Sequence, residues 1–562
     1  MKFTDMPYTR PDIEALKEKV KELKEKIETA KSAREIISAY DEVAKVSEEY
    51  STAGSLAYVR HTINTEDEFY DKENDFFDEV GPTVTDAFQE INKVLLASPF
   101  RAELEKHYGK LLFINTEISV RCFSPEIIEL AAEENRLQSE YQKLFASATV
   151  EWEGETLPLP MLTKYKTHAD REIRKKAFTL DAEFFDAHRE EFDSLFDSLV
   201  KNRNKQARTL GYDNFIQMAY DRLGRNCYGP EKVAAFREQI KEHVVPVVTR
   251  LKEAQKNRLG VDEIRLYDNA VMFKEGNVNP KCSSDELLAA AIDMYKEMSK
   301  ETAEFISFMQ ENELYDLLSK KGKAPGGYCT EFSAYKAPFI FSNFNGTSGD
   351  VEVLTHEAGH ALAYYTAARK GIIPDYYSPT IEACEVHSMS MEFLTAPWHE
   401  RFFGEETERY EYYHAADALN FIPYGCMIDE FQHVMYEQEN LNPEQRNEVW
   451  LALEKKYRPH LNLSDMPFYG RGGGWQHQLH VYLYPLYYID YCMAQTVAFQ
   501  FFAESLSDWQ TAFNKYLAFV DGAGTKTFEE LVVGADMSLP YEEGCLKETA
   551  ETITKWLSRF DF

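Results

Sequence analysis

The sequence predicts a mainly α-helical protein with a large hydrophobic core. Apolar residues recur at the three-and-four spacing of one helical face along most of the chain, whereas strand-like runs are short and few. Hydrophobic residues make up 44% of the 562 residues and aromatic residues 14%, which is ample for a large core and excludes a disordered chain. We place a soft boundary near residue 190, between an N-terminal helical region with a small hairpin (residues 1–190) and a second helical region (residues 191–562).

The net charge, the N-terminal sequence and the cysteines limit which binding partners and which cellular compartment we expect. The formal net charge is −33, whereas binding to a phosphate backbone needs a basic surface, so we expect neither nucleic acid nor an anionic membrane as a partner. The N-terminal residues lack the apolar core of a signal peptide, and no apolar run reaches the roughly 18 residues of a membrane span. The 8 cysteines contain no C-x-x-C pair, which is typical of free thiols in a reducing compartment. We expect a cytoplasmic protein and assign no oligomeric state.

The N-terminal region begins with a helical pair and ends with a hairpin. An a/d seam of apolar residues runs from Ile13 to Ile27, with lysine and glutamate between them. Because the seam is short, we favour its packing against the following helical segment, residues 36–58, over a coiled-coil dimer. Residues 149–162, TVEWEGETLPLPML, predict two short strands turned at Gly154.

Long amphipathic helices resume at Asp170, interrupted by two unusual segments. A strand-like run, PFIFSNFNG, occupies residues 338–346. The glycine-dense segment YGRGGGWQ occupies residues 469–476 and lacks the Lys-Ser/Thr ending of a phosphate-binding loop. We therefore interpret the second segment as a flexible hinge or lid.

The helix that follows the strand-like run carries the strongest chemical signal. Its segment VLTHEAGHALAYY, residues 353–365, is apolar on most sides, with Asp350 as the expected N-cap, so polar groups inside it need partners. His356 and His360 are four residues apart and project from one face, from which two imidazoles can reach one zinc ion at about 2.0–2.1 Å. Glu357 is rotated by about 100° from His356, near enough to act on a water beside the ion. This pattern is typical of zinc peptidases.

A catalytic zinc site needs a third protein ligand, and residues 378–394 offer candidates. One helical face of that segment carries Glu382, Glu385, Met389 and Glu392. The rest of the predicted helix is apolar, and carboxylates buried in this way need a cation. Spacing alone does not choose among them, and His387 and His399 remain possible ligands.

The chain resembles the thimet oligopeptidase and oligoendopeptidase F group of zinc metallopeptidases, most closely its short bacterial branch, which includes the Pz-peptidases. The resemblance rests on FSNFNGTSGDVEVLTHEAGHA, DRLGRNCYG, EACEVHSMSMEF and YPLYYIDYCMAQ, and it covers most of residues 150–562. It implies that Glu385, 25 residues after His360, is the third ligand of one Zn²⁺ per chain. Glu382 and Glu392 then become candidates to orient a ligating histidine. The family fold implies a helical ellipsoid split by a deep substrate channel, with a small β-ribbon beside the zinc helix.

The resemblance also assigns residues that bind the substrate carbonyl and stabilise the oxyanion. By position these are His480, Tyr488 and Tyr491. The two tyrosines keep the family's separation of three residues, whereas the offset from His480 is one residue shorter than in the longer members. On composition alone, the tyrosines of this segment would be interpreted as an aromatic core.

These features predict an oligopeptidase that hydrolyses internal bonds of short peptides, with Glu357 as the general base. The strand over residues 338–344, which contains Phe341 and Asn343, is expected to line the cleft and to take the peptide backbone as an added strand.

Two alternatives stay open at this point. A zinc carboxypeptidase or dipeptidyl carboxypeptidase would share the helix, and Arg471 would then hold the terminal carboxylate. A non-catalytic helical peptide-binding protein is disfavoured by the complete His-Glu-His set, because a scaffold has no use for Glu357.

Overall fold

The structure, a computed structural model, describes residues 1–562 apart from the side chain of Ala146. The first helices are α1 (Ile13–Thr29), α2 (Ala33–Ile63), α3 (Glu68–Leu96), α4 (Arg101–Tyr108), α5 (Lys110–Arg121), α6 (Ile128–Ala146), α7 (Thr163–Lys166), α8 (Arg171–Ala187), α9 (Arg189–Thr209), α10 (Phe215–Arg222), α11 (Pro230–Gln239), α12 (Val245–Leu259), α13 (Ser284–Met298) and α14 (Lys300–Glu311). The later helices are α15 (Ser348–Ala367), α16 (Ile381–Leu394), α17 (Glu400–Phe403), α18 (Thr407–Glu437), α19 (Pro443–Tyr457), α20 (Pro467–Gly470), α21 (Leu479–Leu483), α22 (Ile489–Ser505), α23 (Trp509–Gly522), α24 (Phe528–Gly534) and α25 (Cys545–Leu557). The strands are β1 (Thr149–Trp152), β2 (Glu155–Pro158), β3 (Tyr315–Leu318), β4 (Tyr328–Phe332) and β5 (Ala337–Phe344). The predicted mainly α-helical class is confirmed. Among the described residues, no helix is both long and apolar enough to cross a membrane.

The chain forms two compact units, each built from separate stretches of sequence. The first unit comprises Met1–Val120, Asn279–Thr407 and Gln500–Met537. The second comprises Arg121–Val278, Glu408–Phe499 and Ser538–Phe562. Residue 190 is not a boundary between these units, and the division into residues 1–190 and 191–562 stays a prediction.

The first unit begins with three long helices that share one apolar core. Val20, Leu23 and Ile27 of α1 are buried in a cluster with apolar residues of α2 and α3. At the start of α1, Asp12 caps the helix, since its carboxylate accepts a hydrogen bond from the backbone N–H of Ala15 at 3.0 Å. The expected packing of the α1 seam within the chain is confirmed.

The second unit contains the predicted hairpin. Strands β1 and β2 pair antiparallel, from Thr149 opposite Pro158 to Trp152 opposite Glu155. The two turn residues, Glu153 and Gly154, both have positive φ, at 53° and 90°, which is the conformation of a tight two-residue hairpin turn. The turn at Gly154 is therefore confirmed.

A three-stranded sheet in the first unit leads into α15. Its strand order is β3-β5-β4, so β5 is the central strand, parallel to β3 and antiparallel to β4. Asp350 was expected to cap α15, but the helix begins at Ser348, and the Asp350 carboxylate instead accepts backbone N–H groups of Asn345 and Gly346. This side chain fixes the turn that joins β5 to α15.

The glycine-dense segment of the second unit is packed rather than flexible. Residues 472–476 are buried. A Cβ on Gly472 would overlap the carbonyl oxygen of Asn447, and a Cβ on Gly473 would lie 2.6 Å from the ring of Phe468. The expected hinge or lid is wrong, because these glycines are needed for close approach of neighbouring groups.

Candidate functional site

The two histidines of the zinc motif lie on α15, which packs against α16. The two helices come close together at Gly359, where a Cβ would lie 2.5 Å from the carbonyl oxygen of His387 and 2.7 Å from the Cα of Ser388. Only a residue without a side chain leaves room for this crossing. The crossing is what brings Glu385 of α16 to the histidines.

The donor atoms of the three expected ligands converge. Glu385 Oε2 lies 3.4 Å from His356 Nε2 and 3.8 Å from His360 Nε2, and all three donors lie within 4.8 Å of one another. Two imidazole nitrogens and one carboxylate oxygen are a donor set that catalytic zinc prefers, with one position left open. The arrangement therefore fits a zinc ion.

Gly359→Ala is expected to destabilise the protein by about 1–3 kcal/mol, because overpacking between two rigid backbones typically costs that much. Zinc affinity should fall as well, since the helices must separate and carry Glu385 away from the histidines. Melting temperature and zinc titration measure both effects. Gly349→Ala is the matched control on the same helix, where the added Cβ meets its nearest neighbour, Thr347 Oγ1, at 3.4 Å. Wild-type melting and zinc affinity in Gly359→Ala would contradict the close crossing.

Of the two acids expected to orient a ligand, the structure places Glu392 beside a histidine. Its Oε1 lies 2.7 Å from Nδ1 of His356, so Nδ1–H donates to the carboxylate and Nε2 is left to face Glu385. Burial lowers the pKa of His356, but its hydrogen bonds and charge contacts with Glu385 and Glu392 outweigh burial and raise the pKa well above the ordinary value. Glu382 is buried at the start of α16, where it accepts a hydrogen bond from Thr380 Oγ1 at 2.8 Å.

Glu357 is buried beside the three donors. Burial raises its pKa to about 7, with the negative charges of Glu385 and Glu392 acting in the same direction. The charge of His356 and a hydrogen bond from the backbone of Cys329 act in the opposite direction. A divalent cation at the site would also lower this pKa. A carboxyl group whose pKa lies near 7 can both take up and release a proton at neutral pH.

The two other candidate histidines have different partners. The ring of His387 packs edge-on against Phe519, with ring centroids 5.4 Å apart, and burial lowers its pKa to about 3. His399 Nε2 lies 3.2 Å from the hydroxyl oxygen of Thr395. Among the described residues, the group able to hold a metal ion is His356, His360 and Glu385.

The structure corrects the expected peptide-binding strand. Both edges of β5 are already paired, so residues 338–344 have no free edge for a peptide, and that expectation is wrong. Phe341 is fully buried and stacks on Tyr328 with ring centroids 4.7 Å apart. The Asn343 amide donates to the carbonyl oxygens of Ala324 and Gly326. Both side chains therefore support the sheet and its adjoining loop.

The outer strand β4 is the feature that the sequence patterns did not reveal. It lies at the edge of the sheet, its residues 328–331 are half-buried, and it contacts α15. The backbone of Cys329 reaches the Glu357 carboxylate, and Gly327 lies against Val353 of α15, where a Cβ would be 2.9 Å from Cγ1. The sequence signal that could have indicated this strand is the pair Gly326-Gly327 before a short β-prone run. Such glycines indicate that the backbone comes close to another group, but they do not identify that group.

The residues expected to stabilise the oxyanion form a cluster in the second unit. The ring centroid of Tyr488 lies 4.9 Å from that of His480 and 5.6 Å from that of Tyr491. Tyr488 immediately precedes α22, and Tyr491 lies in its first turn. Nδ1 of His480 contacts Gln478 Nε2 at 3.1 Å. The structure thus brings all three residues together, with each side chain half-buried.

Arg471 lies in the same unit, in the glycine-dense segment. Its Nε donates to Asp186 at 3.0 Å, and its guanidinium packs over the ring of Phe468 at 5.2 Å. The side chain also lines a cavity formed with residues of α9 and α19.

The chain matches known families and structures over nearly its whole length. Residues 3–123 match the peptidase M3 N-terminal domain, and residues 164–550 match peptidase family M3. Among solved structures, Pz peptidase A with an inhibitor is 45% identical, with a TM-score of 0.95 and all of both chains covered. A putative oligoendopeptidase F from Bacillus anthracis str. Ames is 42% identical, with a TM-score of 0.91, covering 100% of this chain and 99% of that one.

Curated relatives are more distant. Chromosomal oligoendopeptidase F from Lactococcus lactis subsp. cremoris is 25% identical over 299 residues, which cover 51% of this chain and 48% of the relative. An oligoendopeptidase F homolog from Borreliella burgdorferi is 24% identical over 344 residues, covering 57% of this chain and 56% of the relative. The chain thus spans about half the length of the curated relatives it matches. Because the family match alone covers more than half of the chain, this protein belongs to peptidase family M3.

Proposed function

We propose that this protein is a zinc-dependent oligopeptidase that hydrolyses internal bonds of short peptides. The convergence of His356, His360 and Glu385, with Glu357 buried beside them, is the observation that carries the proposal. Membership in peptidase family M3 supports it.

Each residue of the centre has a defined part in the chemistry. His356, His360 and Glu385 would hold one zinc ion per chain, with Glu392 orienting His356. Zinc bound there would supply Lewis-acid chemistry, which lowers the pKa of a water toward about 7 and polarises a peptide carbonyl. Glu357 takes the proton of the attacking water and passes it to the leaving amine.

The hydroxyls of Tyr488 and Tyr491 are donors to the oxyanion in this proposal, and His480 helps to bind the substrate carbonyl. Their mutual contacts favour this assignment, because preorganised donors need no rearrangement when charge develops.

The substrate backbone is proposed to pair with the outer edge of β4. An edge strand offers unpaired N–H and C=O groups to an extended peptide, and main-chain hydrogen bonds of this kind bind peptides of varied sequence. The contact of Cys329 with Glu357 supports the placement, since a peptide along this edge would pass the general base. The deep channel and the cytoplasmic location expected from the sequence remain parts of this proposal.

Peptides of roughly 5–20 residues test the proposal, since pockets of limited volume admit short ligands. The zinc-loaded protein should cleave them at internal bonds, identified by mass spectrometry, and C-terminal amidation should leave cleavage intact. A chelator should abolish cleavage and added zinc should restore it. Cleavage that is confined to C-terminal residues and lost on amidation would indicate a carboxypeptidase. Efficient digestion of long unfolded chains would contradict the channel.

A further inference from the structure

A glutamine lies beside the residues that are proposed to stabilise the oxyanion. Gln478 is half-buried and immediately precedes α21, the short helix that carries His480. Its side-chain nitrogen Nε2 lies 3.1 Å from Nδ1 of His480, and its oxygen Oε1 accepts a hydrogen bond from the Tyr424 hydroxyl at 3.2 Å. The amide therefore joins α18, which carries Tyr424, to the ring of His480.

The same amide also reaches Tyr488. Burial raises the pKa of Tyr488 well above its ordinary value, whereas a hydrogen bond with the Gln478 side chain acts in the opposite direction. A hydrogen bond lowers the pKa of a phenol when the phenol oxygen accepts it, so the amide nitrogen is the donor. The ring centroid of Tyr488 lies 4.9 Å from that of His480 and 6.3 Å from that of Tyr424. Tyr488 is thus a neighbour of both other partners of the amide.

These hydrogen bonds determine where two protons lie. An amide nitrogen can only donate, so Nδ1 of His480 accepts, and in the neutral ring the proton is carried by Nε2. An Nε2–H group is a donor, which is what binding of a substrate carbonyl by His480 requires. Because the Tyr488 oxygen accepts from the amide, the hydroxyl hydrogen of Tyr488 points to a different group, as an oxyanion donor requires.

Packed elements hold Gln478 in place. Its backbone N–H donates to the carbonyl oxygen of Trp475, at the end of the glycine-dense segment, at 3.1 Å. Trp475 is fully buried, and its indole N–H donates to Asn447 at 2.9 Å. On the other side of the amide, the guanidinium of Arg458 packs over the ring of Tyr424 at 4.6 Å. Supports of this kind keep hydrogen-bond donors in one geometry before the substrate binds.

We propose that Gln478 is a positioning residue of the oxyanion site, whose amide holds His480 as an Nε2–H donor and directs the hydroxyl of Tyr488 toward the oxyanion. This inference rests on the roles proposed above for His480 and Tyr488. Gln478 acts through these two residues and needs no contact with zinc or with the substrate.

Gln478→Met tests the inference in the zinc-loaded protein, because methionine has a similar length but forms none of these hydrogen bonds. The kcat for one short peptide should fall about tenfold or more, since each such bond contributes about two- to tenfold. KM should hardly change. The matched control is Gln239→Met, because Gln239 is also half-buried in the second unit and donates through Nε2 to the carbonyl oxygen of Tyr541 at 3.0 Å. It should lower the melting temperature by a similar amount and keep the wild-type kcat.

A double variant separates positioning from a general effect on the fold. In a protein that already carries Tyr488→Phe, Gln478→Met should lower kcat by a smaller factor than in wild type, because one of the two groups that Gln478 holds has been lost. Equal factors in the two backgrounds would indicate a purely structural role and overturn the inference. Wild-type kcat in Gln478→Met would overturn it as well.

The tautomer of His480 can be measured without turnover. Nuclear magnetic resonance of zinc-loaded protein with ¹⁵N-labelled histidines reports which ring nitrogen carries the proton, and the signals of His480 are those missing in His480→Asn. In wild type, Nε2 should be protonated and Nδ1 should not, and Gln478→Met should raise the fraction protonated on Nδ1. A wild-type His480 protonated on Nδ1 alone would overturn the inference. Absence of peptide cleavage by the wild-type protein would instead contradict the proposed function, whichever tautomer is found.

Discussion

Replacing Glu357 with glutamine should leave about one zinc ion bound per chain and lower kcat/KM by several orders of magnitude. Glutamine keeps the shape of the side chain but cannot accept a proton, and general acid–base catalysis contributes about 10²–10⁴-fold. Metal binding should persist because Glu357 lies beside the converging donors of His356, His360 and Glu385 without belonging to them. Zinc analysis and steady-state kinetics on one short peptide measure the two effects. Glu352→Gln, an acid-to-amide change on the same helix, should keep wild-type turnover.

Substitutions of the three expected zinc ligands should lower zinc affinity, whereas Glu357→Gln should retain zinc. Alanine at His356, His360 or Glu385 removes a donor and should lower zinc affinity, with activity returning only at high zinc. Glu382→Ala should retain zinc, because Glu382 bonds to Thr380 at the start of α16. If Glu385→Ala binds zinc like wild type and Glu382→Ala does not, the third ligand is misassigned.

Tyr488→Phe and Tyr491→Phe should each lower kcat by about 10²–10³, because removing one oxyanion donor of this type costs that much. KM should hardly change, since the donors serve the transition state more than the bound substrate. The ring contacts with His480 are retained in phenylalanine, so melting temperatures should stay near wild type.

Tyr484→Phe is the control within the same aromatic cluster, since its ring lies 5.8 Å from His480 while its side chain is exposed. It should keep the wild-type kcat. As purely structural residues, Tyr488 and Tyr491 would instead change stability by about 1 kcal/mol on losing a hydrogen bond. Wild-type turnover in both variants would therefore remove them from the oxyanion site, whatever the zinc measurements show.

Local sequence patterns were sufficient for much of the fold. Helical periodicity identified the mainly α-helical class, and the turn at Gly154 located the hairpin. The spacing of His356 and His360 placed two donors on one helical face, because residues four apart on a helix are neighbours whatever surrounds the helix. Each of these features depends on residues only a few positions apart, so the sequence determines it directly.

Contacts between distant segments determined the features that local sequence patterns left open. Spacing left the carboxylates of Glu382, Glu385 and Glu392 open as ligands, together with His387 and His399. The crossing of α15 and α16 at Gly359 is what brings Glu385 to the histidines. In the same way, the apolar run of β5 suggested that this strand lines the substrate cleft. Strand order, which depends on pairing between segments far apart, made β5 central and left β3 and β4 as the edge strands.

In the glycine-dense segment, too, some features follow from the local sequence and others from contacts with distant residues. Its composition is equally compatible with a flexible hinge and with tight packing, and only the neighbouring Asn447 and Phe468 exclude the hinge. Arg471 within that segment carries a charge that the sequence reveals, whereas its pairing with Asp186 arises from tertiary packing. The sequence by itself thus determined the helices, the hairpin and the identity of the reactive groups. The tertiary structure decided which groups meet, because meeting depends on packing between residues that are remote along the chain.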